Sequence, residues 1–245
     1  MLPILHLGPL AIQTPGVIIL LGVGLGLALM ERQAARYQVN GGVLYNIVIA
    51  GLLVGIVGAR LAYMAQYPSA FLANPGSLFS LNLSMFGTAW GIVLGLITTG
   101  LIGWRKRIPL KSALDAFTSM LAVFAITFHL VNLASGDAYG MPSNLPWAIE
   151  LWGTYRHPVQ IYETLGAILT LWLVWPRPGW YEIAGQRFLT FFAMSAGARL
   201  FLEAFRGDSV LWGGIRSVQV ITWLILAVCL WFHRENRGKT NIKPG

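Results

Sequence analysis

The sequence predicts an all-α integral membrane protein, built as a bundle of about seven transmembrane helices. The chain is 56% hydrophobic and only 11% charged, whereas soluble domains carry about 25% charged residues. Its apolar runs are long, and its twelve prolines lie outside the centres of those runs, as expected because proline disrupts helix interiors. We therefore expect a single transmembrane domain over residues 1–245, without a second domain.

Seven apolar runs approach the roughly 20 residues that a helix needs to cross a bilayer. They lie near residues 14–31, 43–64, 84–104, 112–132, 159–175, 188–205 and 217–233. Glycine pairs at small-xxx-small spacing predict close helix packing in the first three runs: Gly22/Gly26, Gly51/Gly55 and Gly91/Gly95. The N-terminus has neither a basic segment nor a small-residue cleavage site. We therefore expect the first run to stay as a helix and not to be a cleaved signal.

The basic residues are distributed unequally between the two sides of the predicted bundle. Most of the 17 lysines and arginines follow the first, third, fifth and seventh runs, Arg187 among them. Cytoplasmic loops are enriched in lysine and arginine, so the N-terminus is expected outside and the C-terminus in the cytoplasm. The loop at 134–158 would then face outward. The same distribution explains the formal charge of +8 without a nucleic-acid partner.

The single cysteine, Cys229, lies within the apolar run ITWLILAVCLWF. One cysteine cannot form a disulfide within a chain, and the sequence has no CxxC pattern. We interpret Cys229 as a buried packing thiol.

One stretch, His129–Glu163, contrasts with the apolar chain around it. It contains two histidines, four charged residues and six helix-breaking residues: Gly136, Gly140, Pro142, Pro146, Gly153 and Pro158. Irregular polar backbone near a bilayer persists only where protein or water satisfies it. This stretch is therefore the predicted functional region, and the apolar runs are its frame.

Several charged residues lie inside or at the edge of predicted spans, namely Arg60, Glu163, Arg199 and Glu203. A charge at mid-bilayer costs about 2.5–3.5 kcal/mol or more. One interpretation is an ion-pair clamp between helices; another is an anion site, because arginine matches phosphate with two parallel hydrogen bonds. A third, a transporter gated by Arg199 and Glu203, is weakened by the absence of repeated halves.

The histidines of this region admit two interpretations each. His129 and Asn132 end the fourth run on one helix face, next to SGDAYG. A histidine on an apolar helix is often a packing residue, but the polar neighbours make a functional role equally plausible. His157, between Arg156 and Pro158, either caps the next helix or joins the site.

The motifs of this region resemble those of the prolipoprotein diacylglyceryl transferases. RHPVQIYE at 156–163 resembles the family signature RHPxQxYE, and FHLVNLASGDAYG at 128–140 aligns without gaps with GRxGNFxNGExxG. GARLAYM at 58–64 is similar to GxRLxYV, and GARLFLEAFRGDS at 197–209 to RxxxExFR. The resemblance covers nearly the whole chain, in order, and includes the family's seven spans.

The resemblance implies a reaction and its partners. The family moves the diacylglyceryl group of phosphatidylglycerol to the lipobox cysteine thiol of a prolipoprotein signal peptide, and glycerol 1-phosphate leaves. It works within membrane lipids as a multi-pass protein of the bacterial cytoplasmic (inner) membrane, with its active site toward the outer face. No cofactor and no metal are expected.

The resemblance also implies site residues. The expected catalytic residues are His129, Arg199, Glu203 and Asp137. Ten further residues are expected to bind substrate: Arg60, Asn132, Gly136, Gly140, Arg156, His157, Gln160, Tyr162, Glu163 and Arg206.

The chain departs from the family pattern at five positions. Pro15, Phe86 and His129 stand where the family has tyrosine, histidine and arginine, and Ser135 and Asp137 replace asparagine and glutamate. Two hypotheses follow. Either His129 acts as base and phosphate contact in a divergent enzyme, or the protein is catalytically silent and binds lipid or lipopeptide on the same fold.

Overall fold

The computed structural model describes residues 4–7, 10–73, 76, 87–181 and 183–240. Its long elements are helices, and each of the seven predicted apolar runs overlaps one of them, with residues 84–86 of the third run outside the described residues. They are α1 (Thr14–Ala34), α2 (Gly41–Gln66), α4 (Thr88–Arg105), α5 (Leu110–Ser135), α6 (Val159–Leu173), α7 (Gln186–Leu202) and α8 (Ser217–Thr240), with a short α3 (Pro68–Ala73) after α2. The prediction of an all-helical fold is confirmed.

Among the described residues, five helical segments are long and apolar enough to cross a membrane: Thr14–Tyr37, Gly41–Gln66, Leu110–Ser135, Gln186–Phe205 and Ser217–Glu235. Helix α6 is apolar but has only 15 residues. Helix α4, with 18 residues, falls outside this group. The number of spans and the orientation of the termini therefore stay predictions.

The chain divides into two compact units, one formed by Met1–Gln33 with Leu114–Gly245 and the other by Ala34–Ala113. In the second unit, glycines let α2 and α4 approach closely. A Cβ on Gly55 would lie 2.9 Å from the carbonyl oxygen of Gly91, and one on Gly95 would lie 3.0 Å from that of Gly51. The predicted packing role of these glycines is confirmed. The prediction of one transmembrane domain stays a prediction.

A second set of close contacts joins α1 to α5 in the first unit. A Cβ on Gly22 would overlap the side chain of Thr127, and one on Gly26 would lie 3.1 Å from the Met120 Cγ. Cys229 is buried on α8, as predicted.

A buried polar network joins the first turns of α5 and α7 to the end of α6. Arg187 has no exposed surface. Its Nε donates to the carbonyl of Val174 at 2.7 Å, its Nη1 to the carbonyl of Asp115 at 2.8 Å, and its Nη2 to Ser119 Oγ at 2.9 Å. Ser119 in turn donates to Gln33 Oε1 on α1 at 2.5 Å.

Asp115 completes this network as a cap of α7. Its carboxylate is fully buried and accepts hydrogen bonds from the backbone N–H groups of Gly185 at 2.6 Å and Phe188 at 2.9 Å. The first N–H groups of a helix have no partner within the helix and favour negative charge. Asp115 of α5 therefore provides the hydrogen-bond acceptors that the first N–H groups of α7 lack within their own helix.

This network corrects one sequence-based assignment. Arg187 was counted among the basic residues of the loops, but the structure places it in the protein interior. Burial of an arginine is tolerated here because backbone carbonyls, Ser119 and the nearby Asp115 carboxylate compensate its charge.

Short hairpins occur where the sequence predicts only helices and loops. Strand β1 (Ile4–Leu7) pairs with β2 (Leu10–Gln13) before α1. Strand β3 (Ile149–Leu151) pairs with β4 (Thr154–Arg156), and β5 (Leu211–Trp212) pairs with β6 (Ile215–Arg216) before α8. Both central turn residues of the last two hairpins have positive φ, which two-residue hairpins of type I′ require.

The loop between α5 and α6 packs tightly against the segment after α7. Gly140 bridges to Arg206, and Pro142 bridges to Arg156. A Cβ on Gly140 would overlap the carbonyl oxygen of His157, and a Cβ on Gly207 would lie 2.7 Å from the carbonyl oxygen of Gly140. Only glycine fits at these two positions without moving backbone.

We expect Arg187→Met to destabilise the protein by about 3–5 kcal/mol, because removing one partner leaves buried polar groups uncompensated. Thermal unfolding in detergent micelles measures the effect. Arg32→Met, at an exposed residue near the end of α1, is the matched control and should leave the midpoint nearly unchanged. Equal midpoints for the two variants would contradict a structural role for the network.

We expect Gly140→Ala to disturb the loop that connects α5 to α6, because its methyl group would meet backbone that cannot move independently. Gly197→Ala is the matched control, since a Cβ there meets nothing within 4 Å. Limited proteolysis of the two variants compares the loop. Similar cleavage of both would show that the close approach at Gly140 is not required.

Candidate active site

A buried carboxylate, that of Glu163 on α6, lies at the centre of the charged cluster. The Glu163 side chain is only 2% exposed. Its Oε2 lies 3.1 Å from Nδ1 of His129 on α5. Its Oε1 accepts hydrogen bonds from Arg199 of α7 and from Nη1 of Arg206, the latter at 3.1 Å. Three cationic or basic side chains from different segments thus converge on one acid.

A second buried carboxylate, that of Glu203, supports the same arginines. It lies in the 3₁₀ turn Glu203–Phe205 that follows α7, and its side chain is 1% exposed. Its Oε2 is 2.9 Å from Nη2 of Arg199 and 3.9 Å from Nε of Arg206. Arg199 therefore bridges two carboxylates.

Arg206 is engaged by carboxylates through all three of its nitrogens. Besides the bond from Nη1 to Glu163, Nε and Nη2 donate to the two oxygens of Asp208 at 2.9 and 2.6 Å. Burial opposes the charge of Arg206, but Asp208 and Glu163 outweigh it, and the net effect is a pKa above the ordinary arginine value. Arg206 is a permanently charged tie between α6 and the turn after α7.

Arg216 fastens the same turn from the β5–β6 hairpin. Its Nη1 donates to the carbonyls of Glu203 and Arg206, the latter at 3.0 Å, and to Ser209 Oγ at 2.9 Å. Sequence analysis did not assign Arg216 or Asp208 to the site. The charge pattern of RGDS, directly after the RxxxExFR segment, is the signal that would have indicated Asp208.

His129 and Arg199 differ from Arg206 in their exposure. Their side chains are 18% and 26% exposed, against 10% for Arg206. Together with Glu163 they line one groove between α5, α6 and α7. The accessible members of the cluster therefore meet at a common opening.

Mostly small side chains form the rest of the groove: Ala125, Gly166, Ala167, Thr170, Ser195, Ala198 and Leu202. On α6 the lining residues follow a helical repeat from Glu163 to Thr170. Seven residues of helix correspond to about 10 Å along the axis. The groove thus begins at charged groups and continues along weakly polar helix surface.

The remaining predicted residues mainly shape the loop. Gln160 is fully buried, and its Nε2 donates to the carbonyl of Asp137 at 2.8 Å. The Tyr162 hydroxyl accepts a hydrogen bond from Nε1 of Trp147 at 2.7 Å. The ring of His157 packs 5.4 Å from that of Phe205.

Arg156 likewise supports backbone. Its Nε donates to the carbonyl of Leu151 and its Nη1 to that of Gly140, both at 3.3 Å, and its guanidinium lies 4.7 Å from the ring centre of Tyr139. Gly136 has φ of 82° directly after α5 and ends that helix in the left-handed conformation. Asn132, one turn earlier, is buried.

Other assignments from sequence are placed elsewhere. Asp137 is exposed, and the carboxylate beside His129 is that of Glu163. Arg60 belongs to the second unit, where its guanidinium lies 5.4 Å from the ring centre of Phe71. Pro15 lies in the first turn of α1, where proline is tolerated. Phe86 lies outside the described residues.

Both interpretations of the intramembrane charges find support in this geometry. Arg206 and Arg216 form the clamp, while Arg199 presents a cation to the groove and His129 an imidazole. A cation next to an imidazole is suited to bind an anionic group and to accept a proton beside it.

Comparison with known proteins agrees with the motifs. The family model described as prolipoprotein diacylglyceryl transferase matches residues 3–233. Proteins named phosphatidylglycerol–prolipoprotein diacylglyceryl transferase are similar to this chain. The one from Finegoldia magna is 29% identical, covering 86% of this chain and 86% of the relative. The one from Bordetella parapertussis is 30% identical, covering 82% and 80%, and the one from Geobacillus kaustophilus is 29% identical, covering 96% and 92%.

The family match extends over most of the chain and includes all the segments that form the charged cluster. The chain therefore belongs to the prolipoprotein diacylglyceryl transferase family.

Proposed function

We propose that this protein transfers the diacylglyceryl group of phosphatidylglycerol to the lipobox cysteine thiol of a prolipoprotein and releases glycerol 1-phosphate. One observation carries the proposal beyond family membership. His129 and Arg199 contact the two oxygens of the same buried carboxylate and line the same groove. This arrangement puts a proton acceptor next to an anion-binding cation, as the reaction requires.

Arg199 is the proposed contact for the lipid phosphate. It is more exposed than Arg206, and its guanidinium is held from two sides by Glu163 and Glu203. A fixed cation at the place where charge develops stabilises the departing phosphate. Arg206 has its nitrogens occupied by carboxylates, so its proposed role is to hold Glu163 in place.

His129 is the proposed base for the thiol. A free cysteine has a pKa of about 8.5, so a base increases the thiolate fraction. The thiol proton passes to the imidazole, and the sulfur attacks the carbon of the diacylglyceryl group that is bonded to the phosphate oxygen. The C–S bond forms as the C–O bond breaks, and the electron pair leaves on the phosphate oxygen of glycerol 1-phosphate.

The groove is the proposed position of the lipid near its headgroup. The groove starts at the charged cluster and continues along α6 past Gly166 to Thr170. With the lipid headgroup bound at Arg199, the adjoining hydrocarbon of the lipid would lie along the small side chains. The proposal includes a multi-pass protein of the bacterial inner membrane whose cluster faces the outer side, where lipobox cysteines of secreted precursors arrive.

The alternative function is binding of lipid or lipopeptide without transfer. Two observations favour it: Arg199 is already engaged by two carboxylates, and the chain departs from the family pattern at Phe86 and His129. Expression in cells that lack the family's transferase separates the two functions. A lipobox cysteine whose mass increases by a diacylglyceryl group supports transfer, and an unmodified cysteine with the protein present in the membrane supports silent binding.

We expect His129→Ala and Arg199→Ala each to lower thioether formation at least 100-fold at unchanged expression. A positioned acid–base group contributes about 10²–10⁴ in rate, and one electrostatic donor to developing charge contributes about 10²–10³. Mass spectrometry of the lipobox peptide measures the product. Arg32→Ala, at an exposed position on α1, is the control for loss of an unrelated charge. Activity that survives both substitutions would remove these residues from the site.

We expect Gly166→Leu to raise KM for phosphatidylglycerol at least 10-fold by filling the groove. A Cβ at this position would lie 3.7 Å from the Ala198 Cβ and 3.8 Å from the Leu202 Cδ1, so Gly166→Ala fits and isolates the effect of size. Leu169→Phe adds bulk on an exposed part of α6 instead. A KM that responds equally to Gly166→Leu and Leu169→Phe would argue against lipid binding in the groove.

A further inference from the structure

We infer that Glu163 is a positioning residue that holds His129 in the tautomer with its proton on Nδ1, so that Nε2 accepts the thiol proton. The inference rests on the proposed function and deepens it. It assigns the base of this chain to an imidazole–carboxylate pair that joins α5 to α6.

The contact between the two groups carries the inference. Nδ1 of His129 and Oε2 of Glu163 are 3.1 Å apart, both atoms are buried, and neither has a hydrogen bond to another described group, so the pair is a close contact and not an aligned hydrogen bond. An ionised carboxylate only accepts hydrogen bonds, so it favours a proton on the ring nitrogen that faces it. In the neutral imidazole the other ring nitrogen then has a free lone pair, as in a hydrolase triad.

The exposure of the ring is consistent with this assignment. The His129 side chain is 18% exposed, yet Nδ1 itself is buried. The accessible surface therefore belongs to the other atoms of the side chain, and Nε2 is not among its buried atoms without a partner. Because His129 lines the groove with Arg199, its side chain and the proposed phosphate contact belong to the same groove.

The carboxylate is held against rotation by its other oxygen. Oε1 of Glu163 accepts hydrogen bonds from both Arg199 and Arg206, which leaves Oε2 directed at the imidazole. The charged groups around the pair are therefore Arg199, Arg206 and, behind them, Glu203. Two arginines keep Glu163 ionised, which keeps it an acceptor.

Two other histidines, His157 and His233, are placed differently. His157 packs its ring among Tyr162 and Phe205, and His233 lies near the far end of α8 from Ser217. Sequence position 129 is where the motif GRxGN has arginine, so the pair arises from a departure of this chain. An arginine there could contact Glu163 but could not accept a proton at neutral pH.

The test compares Glu163→Gln with Glu203→Gln in the full-length protein. Both remove a buried negative charge that contacts Arg199, but only Glu163 contacts His129. The ¹⁵N chemical shifts of histidine-labelled protein report the tautomer, with the His129 signal identified by its loss in His129→Asn. Turnover of phosphatidylglycerol with a lipobox peptide gives kcat and KM.

We expect His129 in the unsubstituted protein and in Glu163→Asp to carry its proton on Nδ1. Glu163→Gln should convert the signal to a mixture or to the Nε2–H form and lower kcat at least 100-fold. Glu203→Gln should leave the tautomer unchanged and lower kcat less than Glu163→Gln does, because it acts on the arginines and not directly on His129.

Two results would overturn the inference. One is an Nε2–H tautomer in the unsubstituted protein, which needs no variant to fold. The other is equal tautomer signals and equal kcat losses for Glu163→Gln and Glu203→Gln, which would make Glu163 only a clamp. If the unsubstituted protein transfers nothing, the proposed function fails, while the tautomer measurement still decides whether the pair exists.

Discussion

The structure of the candidate site depends on burying one carboxylate, that of Glu163. An uncompensated buried ion costs several kcal/mol, so Glu163 is stable in the first turns of α6 only if other helices bring cations to it. His129 from α5, Arg199 from α7 and Arg206 from the following turn do so. The same contacts that neutralise the acid therefore determine where these three segments meet.

A comparison within the molecule separates a clamp from a site. The network of Arg187 and Asp115 also compensates buried charge, but both residues have no exposed surface. A ligand therefore has no charged group to contact there. In the cluster around Glu163, by contrast, Arg199 and His129 remain partly exposed at a groove. Both places pair arginine with carboxylate, and accessibility distinguishes them.

The geometry also distinguishes structural residues from site residues within a single family motif. Arg156, Gln160 and Tyr162 all lie in or near the RHPVQIYE signature, yet their side chains bond to the loop between α5 and α6. Glu163, the last residue of the same signature, is at the centre of the charged cluster. One motif thus contains residues that stabilise the loop and a residue of the charged cluster. A substitution in it will affect either loop stability or the cluster, depending on the residue that is changed.

The sequence by itself determined the helical segments, because apolar length and proline placement act within a few turns of chain, and each of the seven predicted runs overlaps a helix of the described residues. It also determined the family, whose motifs are contiguous. Only the tertiary structure decided that Arg187 is buried, that Glu163 and not Asp137 faces His129, and that residues 149–156 and 211–216 form hairpins. Each of these depends on contacts between side chains or strands that local sequence does not specify, since His129 and Glu163 belong to different helices whose packing brings them together.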